Sequence, residues 1–261
     1  MRTLIKLTVA LCFLGFNGLY AQEYTHDIKG AKKIVVSQLT GKIKVVGQTG
    51  SSFVIKADGL EELPERAKGL KPLSGGGIDN TGLGLNITEA GGVISISGAT
   101  KQSGDADYTF VVPNNIAVSV DYSSPFTIGP VDVQNFGGEF EMKGFGDGAK
   151  LTDITGPVFI DLINGDVDII FSSVNQSSPM SIKSISGEID VTLPSATKAN
   201  FELNSLRGDI YTDLDIEIGK ENEPNEMAHF GGSSIVEGKM NNGGVKIKIS
   251  TISGNIYLRK K

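Results

Sequence analysis

Along this chain a glycine is followed, again and again, by apolar residues at alternate positions with polar residues between them. The units are Thr40-Gly41-Lys42-Ile43-Lys44-Val45, Thr155-Gly156-Pro157-Val158-Phe159-Ile160, Asn164-Gly165-Asp166-Val167-Asp168-Ile169 and Ser186-Gly187-Glu188-Ile189-Asp190-Val191. Arg207-Gly208-Asp209-Ile210-Tyr211-Thr212, Gly244-Val245-Lys246-Ile247-Lys248-Ile249 and Ser253-Gly254-Asn255-Ile256-Tyr257-Leu258 continue the series. Strand side chains point alternately to opposite faces, so the Ile, Val and Leu positions form one buried face and the Lys, Asp, Glu, Asn and Tyr positions meet water. The glycine supplies the positive φ or the close backbone approach that a tight turn needs.

Spacing adds topology. Gly156 to Gly165 and Gly244 to Gly254 are steps of 9 and 10, while Gly165, Gly187 and Gly208 are 22 and 21 apart. A step near ten is one strand and one turn; a step near twenty-one is two of each, one coil of a solenoid whose coils bury their apolar faces on one another. The expected fold is therefore all-β: a single-domain β-solenoid or β-helix-like stack of short strands. An antiparallel β-sandwich is the alternative, since hairpins also give regular spacing. Helix is scarce, with Pro64 to Leu70 the best candidate, where Leu63, Ala67 and Leu70 could share a face.

Composition agrees. Glycine is 34 of 261 residues, about 13% against a usual 7%. Residues 1–21 read as a signal peptide: Arg2 and Lys6 precede an apolar run to Gly18, and Leu19-Tyr20-Ala21 before Gln22 offers a cleavage point. The run is short for a bilayer span, and no later stretch is long and apolar enough to be one. The lone cysteine, Cys12, falls mid-run after Leu11, which disfavours lipid anchoring. The remainder, 22–261, has no cysteine, which excludes disulfides, thiolate metal sites and cysteine nucleophiles there. The chain carries 24 Lys+Arg against 30 Asp+Glu, and losing Arg2 and Lys6 makes it more acidic still. Such a surface is unsuited to nucleic acid, whose phosphates demand a basic one.

The expected organisation is N-terminal strands over 22–107, with an excursion around 58–104, then a main repeat array over 108–261 with a polar insertion around 219–243. Ser186-Gly187-Glu188-Ile189-Asp190-Val191 and Arg207-Gly208-Asp209-Ile210, with Leu193-Pro194 and Phe201-Glu202-Leu203 between them, resemble the bacterial "putative adhesin" domain family. The closing run Gly244 to Ile256 is similar to that family's terminal strand pair, and Phe110-Val111-Val112-Pro113 with Ile116 to Val120 to its entry into the array. The resemblance runs from about Lys33 to Arg259. It implies an exported, glycine-punctuated β-solenoid-like fold and says little of activity.

Candidate chemistry is sparse. His26 and His229 are the only histidines, without neighbours at ligand or triad spacing, and read as solvent-exposed loop residues. Ser74-Gly75-Gly76-Gly77 lacks the following lysine of a phosphate loop. Arg207-Gly208-Asp209 spells an integrin-recognition tripeptide, but the repeat fixes it as a turn. Asp166, Asp168, Glu188, Asp190 and Asp209 take matching outward positions on successive units, about 5 Å apart if the rungs stack. Like charges so close raise one another's pKa or recruit a cation, and calcium is the candidate ion. The plainer reading is a solvated acidic face that keeps the domain soluble. The basic end Arg259-Lys260-Lys261 reads as protection of an open sheet edge.

No catalytic or cofactor-binding residue is expected. The function expected is a non-catalytic, adhesin-like binding scaffold exported to the periplasm, the outer cell surface or the medium, its partner an envelope protein or a surface glycan. The alternative is a polysaccharide-active enzyme using the outward carboxylates. Against it stand the scarcity of exposed aromatics to stack on sugars and of basic groups nearby, Arg207 being the only close arginine.

Overall fold

The computed structural model describes residues 22–28, 30–60, 64–74, 77–99, 106–124, 126, 129–219 and 234–261. The expected signal peptide with Cys12, His229 and the centre of the expected insertion lie outside the described residues.

The chain enters through β1 (Gln22–Asp27), β2 (Lys33–Ser37), β3 (Ile43–Gln48) and β4 (Ser52–Asp58). A single 3-10 turn, Glu65–Ala67, then precedes β5 (Leu73–Ser74), β6 (Gly77–Ile78), β7 (Leu85–Ala90) and β8 (Val93–Gly98). Next come β9 (Asp107–Pro113), β10 (Ala117–Tyr122), β11 (Val131–Gln134), β12 (Phe140–Gly144), β13 (Ala149–Ile154), β14 (Val158–Asn164) and β15 (Val167–Phe171). β16 (Met180–Ser186), β17 (Ile189–Leu193), β18 (Ala199–Ser205) and β19 (Ile210–Thr212) follow. The chain closes with β20 (Glu217–Ile218), β21 (Ser234–Met240), β22 (Val245–Ser253) and β23 (Ile256–Lys260).

From β8 to β19 the strands fall alternately into two sheets. Sheet A runs β1-β4-β9-β3-β11-β13-β15-β17-β23-β19, and sheet B runs β20-β21-β18-β22-β16-β14-β12-β10-β2-β8-β7. Pairing is parallel through the interior of both sheets, as in β12–β14, β14–β16 and β15–β17. Among the described residues, antiparallel pairs in these two sheets occur towards the ends, at β1–β4, β4–β9, β7–β8, β18–β21 and β20–β21, and β5 and β6 form a separate antiparallel pair. The molecule is thus a two-sheet β-solenoid, and the sandwich alternative is set aside.

Inward side chains line up across strands. In sheet B, Ile87, Ile96, Val36, Val120, Met142, Ile160, Ile182, Ile249 and Leu203 form one ladder by register. In sheet A, Ile55, Phe110, Val45, Val133, Leu151, Ile169, Val191 and Leu258 form another. All are buried, and apolar burial at roughly 25 cal/mol per Å² is what holds coil to coil.

The order of the coils departs from the order of the chain. The first parallel coil, β2–β3, lies between β8–β9 and β10–β11, and the last, β22–β23, lies between β16–β17 and β18–β19. The step from Gly187 to Gly208, expected as one coil to the next, therefore skips a slot that the C-terminal coil fills. The terminal strand is no open edge either. β23 pairs with β17 on one side and β19 on the other. Its basic end contacts acids of other coils: Arg259 binds Asp190, and Lys261 lies 3.4 Å from Asp153.

The turn glycines meet one another between coils. A Cβ on Gly187 would overlap the Gly165 carbonyl oxygen, and one on Gly208 would overlap that of Gly254. Close approach, not positive φ, is what excludes a side chain at these two positions. The same carbonyls are satisfied from inside the corner by a ladder of hydroxyls. Ser184 Oγ donates to Gly165 O (3.0 Å), Thr251 Oγ1 to Gly187 O (3.2 Å) and Ser205 Oγ to Gly254 O (2.9 Å). These three polar side chains are buried, and each hydrogen bond offsets the desolvation of two groups.

Both expected excursions are partly ordinary sheet. Within 58–104, β7 and β8 close the far end of sheet B, and the helix candidate is only the one 3-10 turn, with Leu70 exposed. The buried Asp79 accepts from the N–H groups of Thr81, Gly82 and Gly84, and Tyr108 donates its hydroxyl to Leu83 O. Burial, reinforced by Asp79, pushes the Tyr108 phenol up. Within 219–243, β21 runs antiparallel along β18 and covers that edge of sheet B.

Candidate functional site

One row of outward side chains crosses all of sheet A: Glu23, Lys56, Thr109, Lys44, Asp132, Lys150, Asp168, Asp190, Tyr257 and Tyr211. Its first half mixes both signs, with Lys56 3.7 Å from Glu23 and Lys44 4.0 Å from Asp132. Asp168 and Asp190 then stand side by side on adjacent coils. Partial desolvation, then repulsion from Asp190 and Asp166, raises the Asp168 carboxyl above its usual range, against some relief from Lys150. Asp190 is held by the Arg259 Nε–H, 2.9 and 2.8 Å from its two oxygens.

A second row runs beside the turns. The Glu188 N–H donates to Asp166 Oδ1 (2.8 Å), Asn255 Nδ2 donates to Glu188 Oε1 (3.2 Å), and the Asp209 N–H donates to Asn255 Oδ1 (2.9 Å). Tyr257 donates its hydroxyl to Glu188 Oε1 (3.2 Å). The structure therefore brings Asp166 to Glu188 and Asp168 to Asp190, but Asp209 to neither pair, because Asn255 stands between. Among the described residues no group of three or more His, Cys, Asp and Glu is placed to hold a metal ion.

Two features here escape a reading of the sequence in chain order. The arginine that meets the carboxylates is Arg259, whereas Arg207 was the expected neighbour. The aromatics, sparse in composition, converge: the rings of Tyr257 and Tyr211 stack with centroids 5.4 Å apart and planes 14° from parallel. Arg259 Cζ lies 5.4 Å from the Tyr257 centroid, within cation–π range. Tyr211 donates its hydroxyl to Asp209 Oδ2 (3.1 Å), and that bond, with the nearby charge, raises its phenol. Its side chain stands on the last strand of the sheet and is 49% exposed. Asp209 thus orients Tyr211, and the Arg207-Gly208-Asp209 tripeptide is a fixed turn.

Sheet B carries a different surface. Register aligns Phe145, Ile163, Ile185, Ile252 and Leu206 on β12, β14, β16, β22 and β18 or just beyond them. Ile185 is half-buried and the other four are exposed. With strands about 4.8 Å apart this is an apolar stripe of roughly 19 Å. Near the insertion, a groove of about 660 Å³ lies over Asn200, Glu202, Ile218 and Lys239. Lys246 and Lys248 each approach Glu202 to 2.6 Å and hold its carboxyl below the usual range.

His26 lies on β1 and is not a free loop residue. Its side chain is largely covered, with a buried Nε2 that makes no hydrogen bond and lies 3.7 Å from Glu89 on β7, at the end where the two sheets meet.

No curated protein matches the chain. Among solved structures it is similar to one described as a "putative cell adhesion protein" from Clostridium sporogenes, at 14% identity and a TM-score of 0.46, covering 92% of this chain and 100% of that one. It is also similar to a "putative adhesin" from Bacteroides fragilis, at 10% identity and a TM-score of 0.39, covering 92% and 96%. The profile of the Toastrack DUF4097 family matches residues 79–259, well over half of the sequence, and the chain belongs to that family.

Proposed function

We propose that this chain is a non-catalytic binding scaffold, exported to the cell envelope or surface, that docks a partner on the outside of a rigid β-solenoid. The observation that carries this reading is the apolar stripe Phe145, Ile163, Ile185, Ile252 and Leu206. Contiguous exposed apolar surface flanked by polar residues marks interaction sites on soluble domains, and here it is presented by five packed coils rather than by a loop. The outward carboxylates support the same reading, since Asp190, Glu188 and Glu202 each engage a neighbouring group.

The enzyme reading has one observation in its favour: the raised Asp168 carboxyl beside Asp190 could act as a proton donor. One experiment separates the two. The chain from Gln22 is applied to a glycan array and to isolated envelope material, with detection of released reducing sugar. Retention without release, lost in an Ile163→Asp/Ile252→Asp double variant of unchanged melting midpoint, supports the scaffold. Sugar release that Asp168→Asn abolishes overturns it.

A further inference from the structure

The open end of sheet A carries a second, chemically distinct surface. β19 is the last strand of its sheet. One face of the Tyr211 ring is stacked on Tyr257, and on its other side, among the described residues, no further strand of the sheet stands. The hydrogen bond to Asp209 and the stack on Tyr257 fix the ring before anything binds, so little side-chain freedom is lost on binding.

Polar groups surround that face. The Ile256 N–H donates to Asp209 O and the Asp213 N–H to Leu258 O. In a parallel strand alternate residues bond to alternate sides, so the N–H and C=O of Ile210 and Thr212 point away from β23 to the open edge. Asp209 adds a carboxylate, whereas the Thr212 hydroxyl accepts from the Leu214 N–H on the other face of the strand, so Thr212 contributes its backbone alone. A flat aromatic face rimmed by donors and acceptors is complementary to a pyranose, whose C–H face stacks while its hydroxyls bond at the rim.

Charge narrows the class. Asp209, Asp213, Glu188 and Asp190 outnumber the cations at this end, where Arg207 shares the turn of Asp209 and Arg259 is committed to Asp190 and to the Tyr257 ring. A uronic acid would meet like charge. A peptide strand is a poorer fit, since β19 is three residues long and offers two outward-facing backbone positions.

We propose that the Tyr211 edge, with Asp209, Thr212 and Tyr257, is a binding site for neutral or amino-sugar polysaccharide and discriminates against uronate chains. The proposal rests on the binding-scaffold reading but uses a different face from the apolar stripe. Its test is a ¹H–¹⁵N NMR titration of the chain from Gln22 with an N-acetylglucosamine oligomer, its de-N-acetylated counterpart and oligogalacturonate. The first two should shift amides of 209–213 and 255–259. Tyr211→Ala should weaken binding about tenfold or more, while Tyr211→Phe, which keeps the ring, stays within a few-fold of the parent. The proposal is overturned if neither sugar moves these amides, if oligogalacturonate binds as tightly, or if Tyr211→Ala binds as the parent does. A response to a basic peptide alone also overturns it. Sugar-induced shifts confined to Ile163 and Ile252 would overturn the edge site and leave the scaffold standing.

Discussion

Replacing Ile249 with alanine tests whether the last coil of the chain is an inner coil of the stack. Ile249 on β22 is fully buried, opposite Ile182 on β16 and Leu203 on β18. The change deletes three carbons, about 2.4 kcal/mol at roughly 0.8 per methylene. The cavity adds to this because the neighbouring rungs cannot close over it: both flanking strands are pinned in parallel ladders and carry their own buried side chains. The expected cost is about 3–5 kcal/mol, the upper part of the range for such truncations. A C-terminal coil at the end of the stack would have one neighbour instead of two. It could relax, and the cost would be about half. Urea unfolding followed by far-UV circular dichroism, with unchanged slope, gives the difference directly. Ile182→Ala, on an inner coil by any ordering, is the reference. If Ile249→Ala costs under about 2.5 kcal/mol while Ile182→Ala costs about 3–5, the interleaved order is wrong.

Three further outcomes are expected. Ser184→Cys/Thr251→Cys, opposite each other in register, should form a disulfide on oxidation. Ser184→Cys/Ser205→Cys should not, being separated by the inserted strand at about 9.6 Å; non-reducing mass analysis reads both. Gly187→Ala, whose Cβ overlaps a backbone carbonyl, should cost about 3 kcal/mol. Gly146→Ala, with open space around it, should stay within about 0.5 kcal/mol, and equal melting shifts for the two would refute the close approach. The two perturbed carboxyls should act with opposite sign on the pH dependence of melting. Glu202, held low by Lys246 and Lys248, stabilises the fold above its unfolded pKa near 4.3, and that stability goes as pH falls through the lower folded value. Glu202→Gln should therefore lower the melting temperature at pH 7, by an amount that shrinks steadily as pH falls below about 4. Asp168, held high, weakens the fold at neutral pH, so Asp168→Asn should raise the melting temperature at pH 7, with the gain vanishing once both states are protonated.

Much of this architecture is legible in the residues, for a physical reason that also sets the limit. Alternation after each turn glycine dictates strands with one buried face, and the 22-residue step from Gly165 to Gly187 is one coil, with β15 beside β17. Coil adjacency is another matter. Inward positions are Ile, Val, Leu or Phe nearly throughout, so Ile249 fits beside Ile182 as well as Leu203 would, and the apolar pattern cannot rank the neighbours. The leading assumption, that chain order is stacking order, fails at both ends. The candidate site suffers accordingly: Asp166, Glu188, Asp168 and Asp190 pair as the repeat predicts, but Asp209 does not join them. A signal for the aromatic stack was nonetheless present. Asp168, Asp190, Tyr211 and Tyr257 all stand three residues after a turn glycine, so any parallel stacking places them in one column; only their order is hidden.

That order decides the chemistry of the column. Without the coil 245–260, β19 would follow β17 directly, and Tyr211 would sit beside Asp190 with Asp209 beside Glu188. Carboxylates would then line three consecutive turns at about 4.8 Å, an arrangement that raises their pKa values or demands a cation. The inserted coil instead places Asn255 between Glu188 and Asp209, sets Arg259 on Asp190, and gives Tyr211 an aromatic partner in Tyr257. A single topological step thus relieves a charge ladder and builds a flat aromatic edge. The prediction that separates these roles is Tyr257→Asp, which restores the acid column while leaving Ile256 and Leu258 inward. It should lower the melting temperature at pH 7 and recover part of the loss as pH falls and the raised Asp168 carboxyl takes up its proton. A loss unchanged at low pH would assign Tyr257 to packing alone.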